Sequence, residues 1–350
     1  MVEVWTTGVG IPGIFARSAT RAEDAGYDGI TVVDSQNLSG DCYIALALAS
    51  KATTAIKLGT GVTNPFTRHP AVTASAIATV QAESGGRAVL GIGRGDSALA
   101  HLGFAPASVA MFEDYLRRVQ GYLRGEDVPF DTTDDVDKLR LAERPTASRI
   151  EWLRPQQLKV PVDVAATGPK VLAVAGRQAD QVTLAVGADS ARLRWGIRTV
   201  REAREKAGVD QPIAVGTYVN VVVGEDRELA RRIGEGGLSL FARFSAMHGK
   251  AVGPTTPEQR ATLETIHDAY DMTHHARAGS QQASLLTPEF AEGFGIFGPA
   301  SYCIDRLGEI VRLGVERLVI VGPSTGAERG SAGEAGAKFV SDVLPAVKRF

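Results

Sequence analysis

The chain has 350 residues, 44% hydrophobic and 22% charged, which is ordinary for a globular protein and excludes wholesale disorder. Its 38 basic and 40 acidic side chains leave a net charge of −2, which argues against binding nucleic acid or an anionic membrane through bulk charge. No apolar run approaches the ~18 residues of a bilayer span, two cysteines cannot build a disulfide framework or a four-ligand zinc site, and the opening Met1–Trp5 lacks the regions of a signal peptide.

A cytoplasmic protein with neither nucleic-acid nor membrane partners is therefore expected. Strands and helices alternate from the first residues. Val2–Thr7 reads as a strand and Gly13–Ala25 as a helix stopped by Gly26. A β-branched strand, Gly29–Asp34, precedes a helix at Asp41–Ala52 that Asp41 is placed to cap. Strand Ile56–Val62, helix Pro70–Glu83, strand Arg87–Gly93 and helix Pro106–Arg124 follow. The stretch 125–158 breaks the rhythm with acidic residues and weak periodicity, and is read as an inserted hairpin or irregular loop. Strand Val160–Thr167, helix Pro169–Gln178, strand Gln181–Val186, helix Ser190–Ala207 and strand Ile213–Val223 resume it. Residues 225–293 read as a second insertion, mostly helical and polar. Helix Pro299–Leu313, strand Arg317–Gly322 and a last helix up to Phe350 complete the chain.

Strands apolar on both faces, separated by helices, imply a parallel sheet covered on both sides. About eight such units in 350 residues point to an α/β (β/α)8 TIM barrel, one domain over 1–350 with insertions in its loops. In a barrel, chemistry belongs just after the strand C-termini. Those positions hold Asp34-Ser-Gln-Asn37, Gly61-Val-Thr-Asn-Pro65, Gly93-Arg-Gly-Asp96, Thr167-Gly-Pro-Lys170, Val186-Gly187 and Gly322-Pro-Ser-Thr325. This lining of Gly, Thr, Ser and Asn offers no metal-binding cluster and no Ser/His/Asp set. It suits a large polar organic cofactor held through hydrogen bonds. Gly168, Pro169 and Lys170 open a helix whose first N–H groups could take a phosphate, or the segment is an ordinary capped helix with a surface lysine. Asp96 faces the mouth or caps a short helix. Gly91-Ile-Gly93-Arg-Gly95 misses the dinucleotide-binding fingerprint by one residue. His267, His274 and His275 read as solvated helix, and Cys42 and Cys303 as core thiols.

The stretch Lys57–Val80, with Gly59-Thr-Gly-Val-Thr-Asn-Pro-Phe-Thr-Arg-His-Pro70 within it, and Ser84-Gly-Gly-Arg-Ala-Val-Leu-Gly-Ile-Gly-Arg-Gly-Asp96 resemble the bacterial luciferase-like superfamily. They are most similar to the branch that uses coenzyme F420, which includes methylenetetrahydromethanopterin reductases. Ala22-Glu-Asp-Ala-Gly-Tyr-Asp-Gly-Ile-Thr-Val-Val-Asp34, Ala166–Gly176 and Gly298–Leu307 extend the resemblance over nearly the whole chain. It implies a barrel, a homodimer and a flavin-type ring in the mouth, with F420 as the cofactor and FMN as the alternative. It also implies a cis peptide at Gly61-Val62 behind the ring, with Asp34, Thr63, Asn64 and Asp96 near it. Gly168, Pro169 and Lys170 would meet the phosphate-bearing tail, and Val186-Gly187 would complete that pocket. Ser35 stands where several F420 enzymes carry a His, which weakens a sugar-phosphate dehydrogenase assignment and leaves Asp34 or Asp96 to give a proton or fix the ring. The implied activity is hydride exchange between F420 and a small organic substrate, pterin-like by resemblance. An FMN-dependent monooxygenase and a non-catalytic flavin carrier are the alternatives.

Overall fold

The structure, a computed structural model, describes residues 1–132 and 134–350. Eight parallel strands follow one another around a closed ring: β1 Glu3–Gly8, β2 Gly29–Val32, β3 Lys57–Thr60, β4 Ala88–Ile92, β5 Val162–Ala166, β6 Gln181–Leu184, β7 Ala214–Val223 and β8 Arg317–Val321. β8 pairs with β1 in the register Trp5↔Val319, so the two ends of the chain meet side by side. The expected (β/α)8 TIM barrel is the observed fold.

Local chemistry explains most helix limits. Helix α1, Phe15–Asp24, ends where Gly26 takes a φ of +90°, in the left-handed region that suits glycine. Helix α2, Cys42–Ala52, is capped by Asp41, whose carboxylate accepts from the Tyr43 and Ile44 amides. Helix α3, Pro70–Glu83, begins with proline and is capped by His69 Nδ1. Helix α4, Val109–Leu123, starts later than its sequence suggests, because Ser108 accepts from the Met111 amide and sets the boundary there. Helices α5 Pro169–Gln178, α6 Ser190–Lys206, α7 Arg227–Phe244, α8 Pro257–Asp268 and α9 Ala300–Arg312 follow.

Three segments differ from their sequence reading. Ile296–Gly298 is a short ninth strand pairing with Val221–Val223. The last helix is not continuous. A π-helical turn at Phe339–Val343 separates Arg329–Lys338 from Leu344–Val347, and Pro345 there lacks the N–H that a regular ladder needs. Residues 225–293 are not a polar appendage. Ala230, Ile233, Leu238, Phe241 and Ala242 of α7 are buried, and the Phe241 ring meets Tyr218 of β7 at 5.3 Å. Residues 125–158 contain a two-residue antiparallel ladder, Val128–Pro129 with Ala147–Ser148.

The two ends of the barrel interior contrast. At the N-terminal end, Trp5 lies over Gly29, where a Cβ would come within 2.2 Å of the indole. Arg317 covers the same ring at 5.2 Å and reaches Asp163 Oδ2 at 2.7 Å. This end is therefore plugged by one aromatic group and an ion pair. At the C-terminal end, Thr31, Gly61, Gly91 and Gly93 lie on or just past β2, β3 and β4.

Arg192 of α6 ties the second insertion to this end. It is buried and donates to the carbonyls of Val186, Val252 and Pro254 and to Ser245 Oγ. Burial pushes its guanidinium down to about 10. Arg192→Met keeps the apolar stem but orphans these acceptors, so a loss of about 2 kcal/mol is expected in urea unfolding. A loss below about 0.5 kcal/mol would show that the carbonyls find water instead.

Candidate functional site

β3 does not stop cleanly. Gly61-Val62 is a cis peptide, at the bond the resemblance implies. The chain then returns to the ladder at Thr63, whose amide donates to Gly91 O at 2.9 Å while its carbonyl accepts from Gly93 N at 3.0 Å. The Gly61 amide itself donates to Val32 O at 2.7 Å. A Cβ on Gly61 would stand 2.4 Å from Thr31 Oγ1, and one on Gly91 would stand 2.0 Å from Thr60 O. The wall can be built here only because these side chains are absent.

Beside this wall lies Asp34, 1% exposed. Its Oδ2 accepts from Thr63 Oγ1 and from the Arg68 guanidinium, each at 2.6 Å, and its Oδ1 accepts from Gln36 Nε2 at 2.6 Å. Arg68 also donates to Asp41 Oδ2 at 2.7 Å and lies over the Tyr43 ring at 4.8 Å. Burial pulls the Arg68 guanidinium down most strongly, but the hydrogen bonds and charges of Asp34 and Asp41 outweigh it and hold it above its ordinary value. Burial together with the neighbouring Asp34 carboxylate raises the Cys42 thiol, so it stays protonated and inert. Tyr115 donates to Arg68 O at 2.9 Å and fixes the loop from behind. Asn64 Oδ1 accepts from the Phe66 and Thr67 amides, which leaves its Nδ2 buried without a partner. Gln36 Oε1, Thr67 Oγ1 and Tyr43 Oη share that condition. Buried polar atoms without partners are rare and mark places where a further group is expected. At the rim, the Phe66 and Phe104 rings stack at 5.9 Å.

Thus Asp34, Gly61, Val62, Thr63, Asn64 and Gly93 come together in one corner. Ser35 adjoins it, with its carbonyl accepting from the Leu38 and Ser39 amides. Gln36, among the strand-end positions, and Arg68 and Tyr43, which were not singled out from sequence, belong to the same network. Gln36 and Arg68 lie on the loops past β2 and β3, and Tyr43 is in the first turn of α2.

Asp96 makes a second centre. Both of its oxygens are taken by Arg243, Nη2 reaching Oδ1 at 2.9 Å and Nη1 reaching Oδ2. It makes no side-chain cap to the short helix Ser97–Ala100, so its capping role is not realised. Arg243 closes α7 and lies over the Tyr270 ring at 4.8 Å, and Tyr270 Oη meets His275 Nδ1 at 3.0 Å. The sequence reading of His275 as solvated is corrected: the insertion folds it back against the loop after β4. His274 is exposed and pairs with Asp271, as expected of a solvated residue.

On the β5 side, Gly168 caps α5 without a side chain, Pro169 occupies the first turn and Lys170 is exposed. Thr167 Oγ1 donates to Ala185 O at 3.1 Å. The space above Gly168 is open. Val186 and Gly187 are buried, and a Cβ on Gly187 would meet the Phe294 ring at 2.6 Å. No cluster of His, Cys, Asp and Glu able to hold a metal occurs among the described residues.

A parallel barrel with a small-residue wall, two charge-neutralised carboxylates and an uncapped helix N-terminus at its mouth defines a barrel built around an organic ligand. The luciferase-like monooxygenase family model matches residues 10–317, and the chain belongs to that family. A 5,10-methylenetetrahydromethanopterin reductase of Methanolobus tindarius is 27% identical, covering 88% of this chain and 90% of that protein. An F420-dependent glucose-6-phosphate dehydrogenase of Beutenbergia cavernae is 32% identical over 45% of this chain and 48% of its own length. Among solved structures, the coenzyme F420 dependent tetrahydromethanopterin reductase from Methanopyrus kandleri superposes with a TM-score of 0.73 at 24% identity, covering 98% of this chain and 99% of that one.

Proposed function

We propose that this chain is an F420-dependent oxidoreductase that moves a hydride between the deazaflavin and a small organic substrate. The observation that carries the reading is the bulged wall after β2–β4, which closes only because Gly61 and Gly91 lack side chains and which stands beside buried polar atoms without partners. The residues present fit the group. Asn64 Nδ2, Gln36 Oε1 and Thr67 Oγ1 are buried polar atoms in need of partners, next to an Asp34 already fixed in place. The F420-dependent glucose-6-phosphate dehydrogenase of Beutenbergia cavernae, 32% identical over 45% of this chain, supports F420 over FMN.

When bound, the deazaflavin supplies the hydride chemistry. The chain's own part is to bind and orient. Gly61, Val62, Thr63 and Gly93 would back the ring, and Asp34, Ser35 and Asn64 would meet its polar edge. Asp96, paired with Arg243, would hold the α7 side of the mouth. Thr167, Gly168, Pro169 and Lys170 would hold the tail phosphate through uncapped amides and one charge, with Val186 and Gly187 beneath it. Both carboxylates are engaged as acceptors, Asp34 by Thr63, Gln36 and Arg68 and Asp96 by Arg243. The Methanolobus relative makes a pterin the first substrate to assay. Ile44 and Leu48 of α2 and Val72 of α3 are exposed on alanine-rich helices and form the face we assign to a homodimer. No helix of the described residues is long and apolar enough to cross a membrane.

The test is a parallel titration of the purified protein with F420 and FMN, oxidised and reduced. Micromolar or tighter binding of F420 alone is expected. Preference for FMN would move the protein to monooxygenase chemistry, and binding of neither would overturn the reading. Tight F420 binding with no turnover on a broad substrate panel would make it a carrier. For Lys170→Ala we expect about threefold weaker F420 binding, as suits one exposed charge, and unchanged binding of a deazaflavin without the phosphate tail. Equal losses for both ligands would remove the phosphate role.

A further inference from the structure

We infer that His275 is a substrate-contacting residue whose Nε2–H takes the acceptor heteroatom of a carbonyl or imine substrate at the barrel mouth. This rests on the oxidoreductase reading above and adds a subsite to it.

The insertion carries His275 from far along the chain to the loop after β4, where Asp96, Arg243, His101 and Tyr270 face it. Two of these cancel: Asp96 spends both oxygens on Arg243, so no carboxylate is left to pair with the imidazole. The ring's tautomer follows from its neighbours. A phenol is the stronger proton donor and an unprotonated imidazole nitrogen the stronger acceptor, so the Tyr270 hydroxyl is the donor of this pair. The hydroxyl proton is then directed to His275 Nδ1, 3.0 Å away. An imidazole that accepts at Nδ1 carries its proton on Nε2. Burial, the largest influence, lowers the His275 imidazole to about 4 against the opposing charge of Asp96, so the ring is neutral at physiological pH. Among the described residues no group bonds Nε2, and it is not among the sealed atoms without partners. It is therefore an oriented, neutral N–H, accessible and without a partner among the described residues.

A neutral imidazole that polarises a carbonyl without losing its own proton is a known electrophilic device. It suits this site because the carboxylates at the mouth are acceptors already saturated by Thr63, Gln36, Arg68 and Arg243. A C=O or C=N group offers a lone pair, which only a donor can meet. His275 keeps its proton throughout; its part is to hold the substrate heteroatom and to fix which face of the adjacent carbon is presented.

Long-range 1H–15N NMR on the full chain tests both halves of this. Without ligand, the Nε2–H tautomer is expected at pH 7, and Tyr270→Phe should shift it toward a mixture. An Nδ1–H ring or an imidazolium at pH 7 overturns the assignment. Cyclohexanone then serves as the acceptor probe, titrated with and without F420. The Nε2 resonance of His275 should move and saturate, and His275→Leu should weaken cyclohexanone binding about tenfold, the worth of one hydrogen bond. His275→Gln, which keeps an N–H donor, should stay within about threefold of the parent. A resonance unmoved at saturating cyclohexanone overturns the proposal. A response from His275 in a protein that fails to bind F420 sinks the cofactor reading and leaves this subsite standing, whereas F420 binding with a silent His275 does the reverse.

Discussion

Gly61→Val is expected to weaken F420 binding by at least about a hundredfold. The added Cβ would stand 2.4 Å from Thr31 Oγ1 and 2.6 Å from Thr31 Cβ, far inside contact distance. Thr31 cannot retreat, because it belongs to β2, hydrogen-bonded on both sides. The strain must therefore move the loop. That loop is held by Gly61 N on Val32 O, by Thr63 N on Gly91 O and by Thr63 Oγ1 on Asp34, so a shift breaks the contacts that set the wall. Overpacking of this kind costs about 1–3 kcal/mol, and a hundredfold in affinity is about 2.8 kcal/mol. A paired variant separates local damage from general unfolding. In Gly61→Ala with Thr31→Gly the side chain is moved across the wall rather than added to it, and folding with part of the affinity should return. Calorimetric titration beside a thermal melt reads both. Wild-type affinity in a folded Gly61→Val protein would mean that the ring does not sit against this wall.

How much of this was legible beforehand depends on the distance over which each feature is built. The barrel is local. Val2–Thr7, Gly29–Asp34 and Arg87–Gly93 carry their strand character in consecutive residues, and Gly26, Asp41 and Pro70 mark helix limits within a turn. The Gly61 corner was legible for the same reason, since Asp34, Thr63 and Gly93 lie at successive strand ends and a barrel must bring such ends together. Arg68 was harder. Its neighbours suggest only a loop, and its role appears once α2 places Asp41 and Tyr43 opposite it. Arg243 could not be found at all, because its partner Asp96 is 147 positions away and nothing local signals the pair. The insertion was misjudged for another reason. Its scattered polar residues mask the periodicity, yet Ile233, Leu238 and Phe241 occupy one face of α7, and that face is the one that covers the barrel. Burial of His275 follows from that packing and has no signature of its own.

The other large effect concerns the charges under the wall. Arg68→Met should cost about 3–5 kcal/mol, as expected when one partner of a buried pair is removed and the other stays charged. Asp34 is the partner left behind, 1% exposed, with Thr63 and Gln36 still donating to it. The reverse change is milder. In Asp34→Asn the guanidinium keeps Asp41, which is open to solvent, and its place over Tyr43. If charge rather than shape is what Arg68 answers, Asp34→Asn combined with Arg68→Met should recover about 2 kcal/mol relative to the sum of the single losses. Urea unfolding of the four proteins measures that coupling, and simple additivity would deny that the two side chains act as a pair. F420 affinity measured on the same set answers a separate question. Should the double variant fold well and still bind F420 poorly, Asp34 meets the ring through its carboxylate as well as holding the loop; should affinity return with stability, the pair only supports the wall and the ring is held by Thr63, Asn64 and the glycines around it.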